Sequence, residues 1–217
     1  MSANKQDLKY FLLALCSFFG LCIEIIYGFW LIPTIFGGPV QLEEPSILAH
    51  WTLSCLTWGI VAWLLVKYSK QKQHFDIFAE TTRPKAWQWA CVAACFLVIA
   101  AVSYLAWGGF KIIIEFRGLG PLHFVFQYVY YAFETILFSL IIIFSQKAGE
   151  LRFKKQNIPY GGIFAALTWG LIHALTQGSL FVGLYAAVNG LVFGIVYLLL
   201  KRDVRKHIII SYLMFII

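Results

Sequence analysis

Long runs of apolar residues alternate with short polar connections along the whole chain. Six of the runs are long enough to predict helices, and most are near the roughly 20 residues that a helix needs to cross a bilayer. A seventh run, at 207–217, is shorter, so we expect it to stop inside the membrane or to pack against the other helices. The pattern predicts an all-α, polytopic helical membrane bundle with about seven transmembrane segments. The six longer predicted helices cover residues 10–32, 47–66, 86–107, 123–144, 161–176 and 178–200. The link between the third and fourth ends in the helix-breaking Gly118, Gly120 and Pro121. Gly190 and Gly194 in the sixth form a small-xxx-small pair that lets a neighbouring helix approach closely.

Composition supports a membrane domain and excludes a water-soluble one. Hydrophobic residues make up 61% of the 217 positions and charged residues 12%, far from the roughly half apolar and quarter charged mixture of soluble domains. The short connections leave no room for a separate soluble unit. We therefore expect one membrane domain over 1–217, with three helices in 1–122 and a second part in 123–217. The five cysteines form no Cys-x-x-Cys pair, so we predict no metal site and no cofactor.

The positive charge is distributed as a topology signal. The formal net charge is +7, but the Lys and Arg residues lie in short runs between apolar segments instead of forming one basic face, which argues against a nucleic-acid partner. The basic connections alternate with acidic or nearly neutral ones. The positive-inside rule then places the N-terminus in the cytoplasm. The basic regions are the N-terminus and residues 67–85, 147–155 and 201–206.

Ionisable side chains interrupt the apolar runs at Glu24, Glu134 and His173. Burying such a group in a bilayer costs a few kcal/mol or more, so these residues usually face the protein interior. At about 1.5 Å per residue, Glu134 and Asn189 each lie about 16 Å below the outer boundary, and His173 falls near that level. Interhelical hydrogen bonding alone would explain the amides, and Glu24 is most simply a buried hydrogen-bond partner. The amides in question are Gln127, Gln177 and Asn189.

Helical spacing gathers polar and aromatic residues into stripes on three predicted helices. We expect these stripes to enclose a water-containing cavity, in which Glu134 acts as a general base on water with His173 as its partner. The alternative is a buried hydrogen bond between Glu134 and His173 that only fixes packing. The stripes are Gln127, Tyr130, Tyr131 and Glu134; Trp169, His173 and Gln177; and Tyr185, Asn189 and Phe193.

Residues 125–217 resemble the CPBP family of intramembrane proteases, which includes the CAAX prenyl endopeptidases and bacteriocin-processing or immunity proteins of bacteria. Residues 134–139 look like the family's Glu-Glu-x-x-x-Arg motif with the second Glu and the Arg replaced. The stretch from Trp169 to His173 is similar to Phe-x-x-x-His, and residues 190–197 match the glycine-rich helix before the third motif. The resemblance implies a CPBP-like core over 123–217 in a bacterial cell membrane, with Glu134 and His173 activating water.

The third family motif, His-x-x-x-Asn, has no match at the expected positions, which are Ser211 and Phe215. His207 with Ser211 fits only if a few residues are deleted. Without the oxyanion-stabilising pair, each lost donor typically costs two to three orders of magnitude in rate. We therefore expect a catalytically degenerate scaffold or regulatory partner of another membrane or membrane-anchored protein.

Two other functions stay open at this stage. One is an active endopeptidase that cuts a membrane-anchored or lipidated peptide. The other is a transporter or small-ligand-binding subunit that uses the same cavity, although no inverted repeat supports it. A second match to the first motif, Glu150 followed by Lys154, lies in a basic connection, where a solvated ion-pair cluster is the simpler interpretation.

Overall fold

The computed structural model describes residues 3–42 and 45–217, and 83% of the chain is helical, with no strand in these two ranges. The all-α prediction is confirmed. The helices in chain order are α1 (Ala3–Ile26), a π-helix (Tyr27–Leu31), α2 (Ile32–Phe36), α3 (Pro45–Lys72), α4 (Ala86–Trp107), α5 (Lys111–Phe153), α6 (Tyr160–Ala165), a second π-helix (Ala166–Gly170), α7 (Leu171–Thr176), α8 (Leu180–Leu199) and α9 (Val204–Ile216).

Five helices in the described part of the chain are long and apolar enough to cross a membrane. They are Gln6–Phe36, which runs through the first π-helix, and α3, α4, α5 and α8. The continuous helix Tyr160–Thr176 is apolar but shorter, and α9 spans only about 20 Å at 1.5 Å per residue. These helices indicate an integral membrane location.

The predicted link between residues 107 and 123 is wrong. The chain is helical from Lys111 onward, and only Gly120 departs from helical geometry, with φ 71° and ψ 171°. That conformation is essentially restricted to glycine, and Pro121 then suits the first turn of the resumed helix because its missing N–H needs no partner there. The link therefore contributes a short helix, 111–119, which brings Lys111 and Glu115 into the protein interior.

Helix α5 forms the centre of the bundle. Its apolar residues from Leu137 to Phe144 are almost completely buried, and it packs against α1, α3, α6 and α9. In the most apolar 18-residue stretch of α5, 67% of the residues are buried, whereas the corresponding stretch of α4 has 17% buried. The difference shows that α4 lies at the periphery, with most of its surface available to lipid.

Glycines allow α6 and α8 to approach closely. A Cβ atom added at Gly194 would lie 2.2 Å from Cα of Gly162, and one added at Gly190 would lie 3.0 Å from the backbone nitrogen of Ala166. Only small residues permit such backbone contact between membrane helices. The close approach predicted for Gly190 and Gly194 is thus present, and it holds the polar side of α8 toward the cavity described next.

Candidate functional site

A cavity of about 1460 Å³ lies between the helices. It is larger than the roughly 300–1,000 Å³ typical of sites for drug-sized molecules, so it has room for a lipid chain or a peptide segment. Every long helix contributes to its wall. Both π-helices do so as well, through Gly28 and Phe29 in the first and Trp169 in the second, and π-helical turns frequently occur at functional sites.

Most of the polar residues singled out in the sequence lie on this one wall. Glu134 and His173 both line the cavity. The prediction that three helices bring polar stripes together therefore agrees with the geometry, although the wall also includes α1, α3 and α4. The other predicted residues on the wall are Gln127, Tyr131, Trp169, Gln177 and Asn189.

Trp169 connects Glu134 and His173. Its indole Nε1 donates a hydrogen bond of 3.0 Å to Oε1 of Glu134. Its backbone carbonyl lies 2.7 Å from Nδ1 of His173, and the two rings are in edge contact with centroids 4.6 Å apart. The indole thus fixes one carboxyl oxygen, while the carbonyl one turn away orients the imidazole by accepting a hydrogen bond from Nδ1–H.

The two positions of the third family motif contribute no polar group to the cavity. Ser211 is buried away from the wall, with its hydroxyl 3.3 Å from Nδ1 of His207. Phe215 does line the cavity, and its ring lies 5.9 Å from the Trp169 ring and 5.2 Å from the Tyr131 ring. The prediction of Ser211 as a cavity-lining residue is therefore wrong, because the cavity reaches only the end of α9, whereas His207, one turn before Ser211, packs against Tyr197.

The sequence analysis missed a charged cluster in the first turns of α5, formed by Lys111 and Glu115. Nζ of Lys111 lies 4.0 Å from Oε1 of Glu115 and donates a hydrogen bond of 3.1 Å to the backbone carbonyl of Phe215. Three side chains donate to the Glu115 carboxylate at 2.9–3.2 Å: Gln127, Tyr128 and Tyr131. The i, i+4 spacing of Lys111 and Glu115 within an apolar run was the available signal.

A second carboxyl group lies opposite this cluster, on α1. The Tyr130 hydroxyl donates a hydrogen bond to Glu24, and Nε2 of His50 lies 3.9 Å from Oε2 of Glu24. Glu24 thus has the hydrogen-bond partner expected of it. It also lines the same cavity as Glu134. His50 went unnoticed, although it is an ionisable residue inside an apolar run, like Glu24.

The alternative first motif at Glu150 lies outside the cavity. Oε1 of Glu150 accepts hydrogen bonds from Nε and Nη2 of Arg202 at 2.9 and 2.6 Å and from Gln146 at 2.9 Å. Arg202 also donates to the backbone carbonyl of Gln156. This ion pair ties the connection before α6 to the connection before α9, in agreement with the ion-pair interpretation.

Compared with known proteins, the chain matches no protein-family model, no curated protein and no solved structure. Within 3–42 and 45–217, no three His, Cys, Asp or Glu side chains are grouped so that they could hold a metal ion. The class defined by the fold is thus an integral helical membrane protein with a large cavity whose mostly apolar wall carries several polar side chains.

Proposed function

We propose that this protein is a catalytically degenerate relative of the CPBP intramembrane proteases. In this proposal it acts as a scaffold or regulatory partner, and its cavity holds a segment of another membrane or membrane-anchored protein without cutting it. The resemblance over residues 125–217 supports the family, and the cavity volume supports the binding of a peptide segment.

The main support for a non-catalytic role is that Ser211 and Phe215 replace the His and Asn of the third family motif. Peptide hydrolysis needs donors aimed at the oxyanion that forms when water attacks the carbonyl carbon. In the family this task falls to His and Asn, whereas here Ser211 is turned toward His207 and Phe215 places an apolar ring on the cavity wall. A cavity that retains the base but lacks these donors supports binding better than turnover.

A second candidate, an active endopeptidase, is favoured by a different observation. Glu134 and His173 line the same cavity and are both held by Trp169. Glu134 would take a proton from water, and the hydroxide would attack the scissile carbonyl carbon. The proton would pass to the departing amine as the C–N bond breaks.

One experiment separates the two candidates. Wild-type protein, Glu134→Ala and His173→Ala are purified from cells, and each is assayed for a co-purifying membrane protein and for cleavage of that protein by mass spectrometry. We expect the same intact partner with all three proteins, in lower yield with Glu134→Ala, because the rest of the cavity wall also holds the segment.

Shortened partner with the wild type and intact partner with both variants would instead establish the endopeptidase. Absence of any stable partner from all three preparations would contradict the scaffold. Asn189→Trp provides the control, since it places a bulky ring on the cavity wall while leaving Glu134 and His173 unchanged; it should weaken the binding of a partner held in the cavity.

We further propose that the N-terminus faces the cytoplasm of a bacterial cell. The basic connections support this orientation through the positive-inside rule. In the fold, Nη1 of Arg152 near the end of α5 lies 3.8 Å from Oδ2 of Asp7 near the start of α1. Nζ of Lys147 lies 5.3 Å from the Phe75 ring beyond the end of α3. The N-terminus and two basic connections are thus at one end of the bundle.

A further inference from the structure

The charges on the cavity wall do not balance. Three carboxyl groups line it, those of Glu24, Glu115 and Glu134, against the single ammonium group of Lys111, and no other Lys or Arg of the described ranges is on the wall. Charged groups within a membrane are normally paired because an isolated charge there is costly. Two of the three carboxyl groups therefore lack a Lys or Arg partner. The imidazoles of His50 and His173 are also on the wall, and Nε2 of His50 lies 3.9 Å from Oε2 of Glu24, beyond hydrogen-bond distance.

Lys111 is already committed to other groups. Its ammonium lies within 4.0 Å of Glu115, donates to the carbonyl of Phe215, and lies 4.5 Å from the centroid of the Tyr131 ring. Glu115 in turn receives three further hydrogen bonds. This pair is therefore largely satisfied within the protein.

The carboxyl groups of Glu24 and Glu134 have only part of their hydrogen-bonding capacity used within the protein. In the part of the chain that the structure describes, the donors to their carboxyl groups are neutral: the Tyr130 hydroxyl for Glu24 and the Trp169 indole for Glu134. Each of these bonds reaches one oxygen, Oε2 of Glu24 and Oε1 of Glu134. The other oxygen of each residue has no donor among those side chains and is left to interact with an occupant of the cavity.

Aromatic rings on the same wall favour a cationic occupant. The rings of Tyr130, Tyr131 and Trp169 face the cavity with the two carboxyl groups. Tyrosine and tryptophan faces attract ammonium groups, most strongly where the cation is desolvated. Carboxyl groups and aromatic faces together recognise an alkylammonium group, which offers both positive charge and three N–H donors.

We infer that the cavity receives a membrane-embedded peptide segment of the partner through a lysine ammonium group bound between Glu24 and Glu134. The inference rests on the proposed function and specifies its partner: a segment apolar enough to enter the bilayer, with a lysine near the middle. The large apolar part of the wall contacts the apolar residues of the segment, and the two carboxyl groups bind its ammonium group. Lysine suits the site because its long stem is apolar up to the ammonium group.

The test uses purified full-length protein in lipid nanodiscs and two synthetic transmembrane peptides of leucine and alanine. One peptide has a single central lysine, and the other has norleucine at that position, which keeps the stem and removes the charge. We expect the lysine peptide to bind at least about tenfold more tightly. Glu24→Gln/Glu134→Gln should abolish this preference, whereas Glu115→Gln should retain it because Glu115 is already paired.

Several results would overturn the inference. Equal affinity of the wild type for the two peptides, or a preference that survives in Glu24→Gln/Glu134→Gln, would show that the carboxyl groups do not select the charge. If dodecylammonium binds as tightly as the lysine peptide, the site belongs to a free amine. Equal binding of both peptides that is blocked by Asn189→Trp would leave the proposed function standing and remove only the lysine; failure of both peptides to bind would contradict both proposals.

Discussion

Gly194→Val is expected to cause the largest loss of stability among single substitutions of this chain. The first added carbon atom would lie 2.2 Å from Cα and 2.3 Å from the backbone nitrogen of Gly162, and a backbone cannot rotate away as a side chain can. Overpacking in a core usually costs about 1–3 kcal/mol. Here we expect more than about 3 kcal/mol, because α6 and α8 must separate.

Measurement is by denaturation of the purified protein in mixed micelles and by the yield of monodisperse protein. Val188→Leu is the matched control: it adds bulk to the same helix at a residue that is 61% exposed, and surface changes of this kind usually stay within about 0.5 kcal/mol. Similar yields and stabilities for the two variants would contradict the close packing of α6 against α8.

Lys111→Met is expected to have the second largest effect. Methionine keeps most of the apolar stem but leaves the carboxyl group of Glu115, which is 6% exposed, without its cation. Removing one partner of a buried ion pair typically costs about 3–5 kcal/mol. We expect about 3 kcal/mol, the lower end of that range, because three hydrogen-bond donors to Glu115 remain.

The double variant Lys111→Met/Glu115→Gln tests the cause. Glutamine is neutral and still offers an oxygen to the tyrosine hydroxyls, so most of the lost stability should return. The free energy of unfolding of the wild type, both single variants and the double variant gives the coupling energy of the pair. A double variant no more stable than Lys111→Met would show that Lys111 stabilises the fold through packing alone.

The sequence predicted the all-α membrane architecture because long apolar runs determine it, but five helices of the described ranges, and not about seven, are long and apolar enough to cross a membrane. The predicted bounds 86–107 coincide with α4. The link at 108–122 failed because Gly118, Gly120 and Pro121 were all interpreted as helix breakers. Of these three residues, only Gly120 has a positive φ. Gly118 stays helical because a helix tolerates glycine at a modest cost, and Pro121 is accepted in the first turn of the resumed helix.

The candidate site was predicted in part for a similar physical reason. Helical spacing within one element placed Glu134 and His173 on inward stripes, and both are on the cavity wall. Spacing along α9 does not reveal how far along the helix the cavity extends. Ser211 and Phe215 share one side of α9, but only Met214 and Phe215, near its end, reach the wall. The approach of Glu24 to Tyr130 joins residues 106 positions apart and follows only from tertiary packing.

The most direct test of a peptide-holding cavity is photocrosslinking from two adjacent residues of α8. A diazirine amino acid of about the size of leucine, which adds little bulk, replaces either Asn189, which lines the cavity, or Val188, which is 61% exposed on the outer surface. Cells are irradiated, and the products are identified by mass spectrometry in the wild-type and Glu134→Ala backgrounds. We predict that position 189 captures an uncut peptide chain in both backgrounds and that position 188 captures only lipid. The same products at both positions, or a cut chain that becomes intact in Glu134→Ala, would contradict this role.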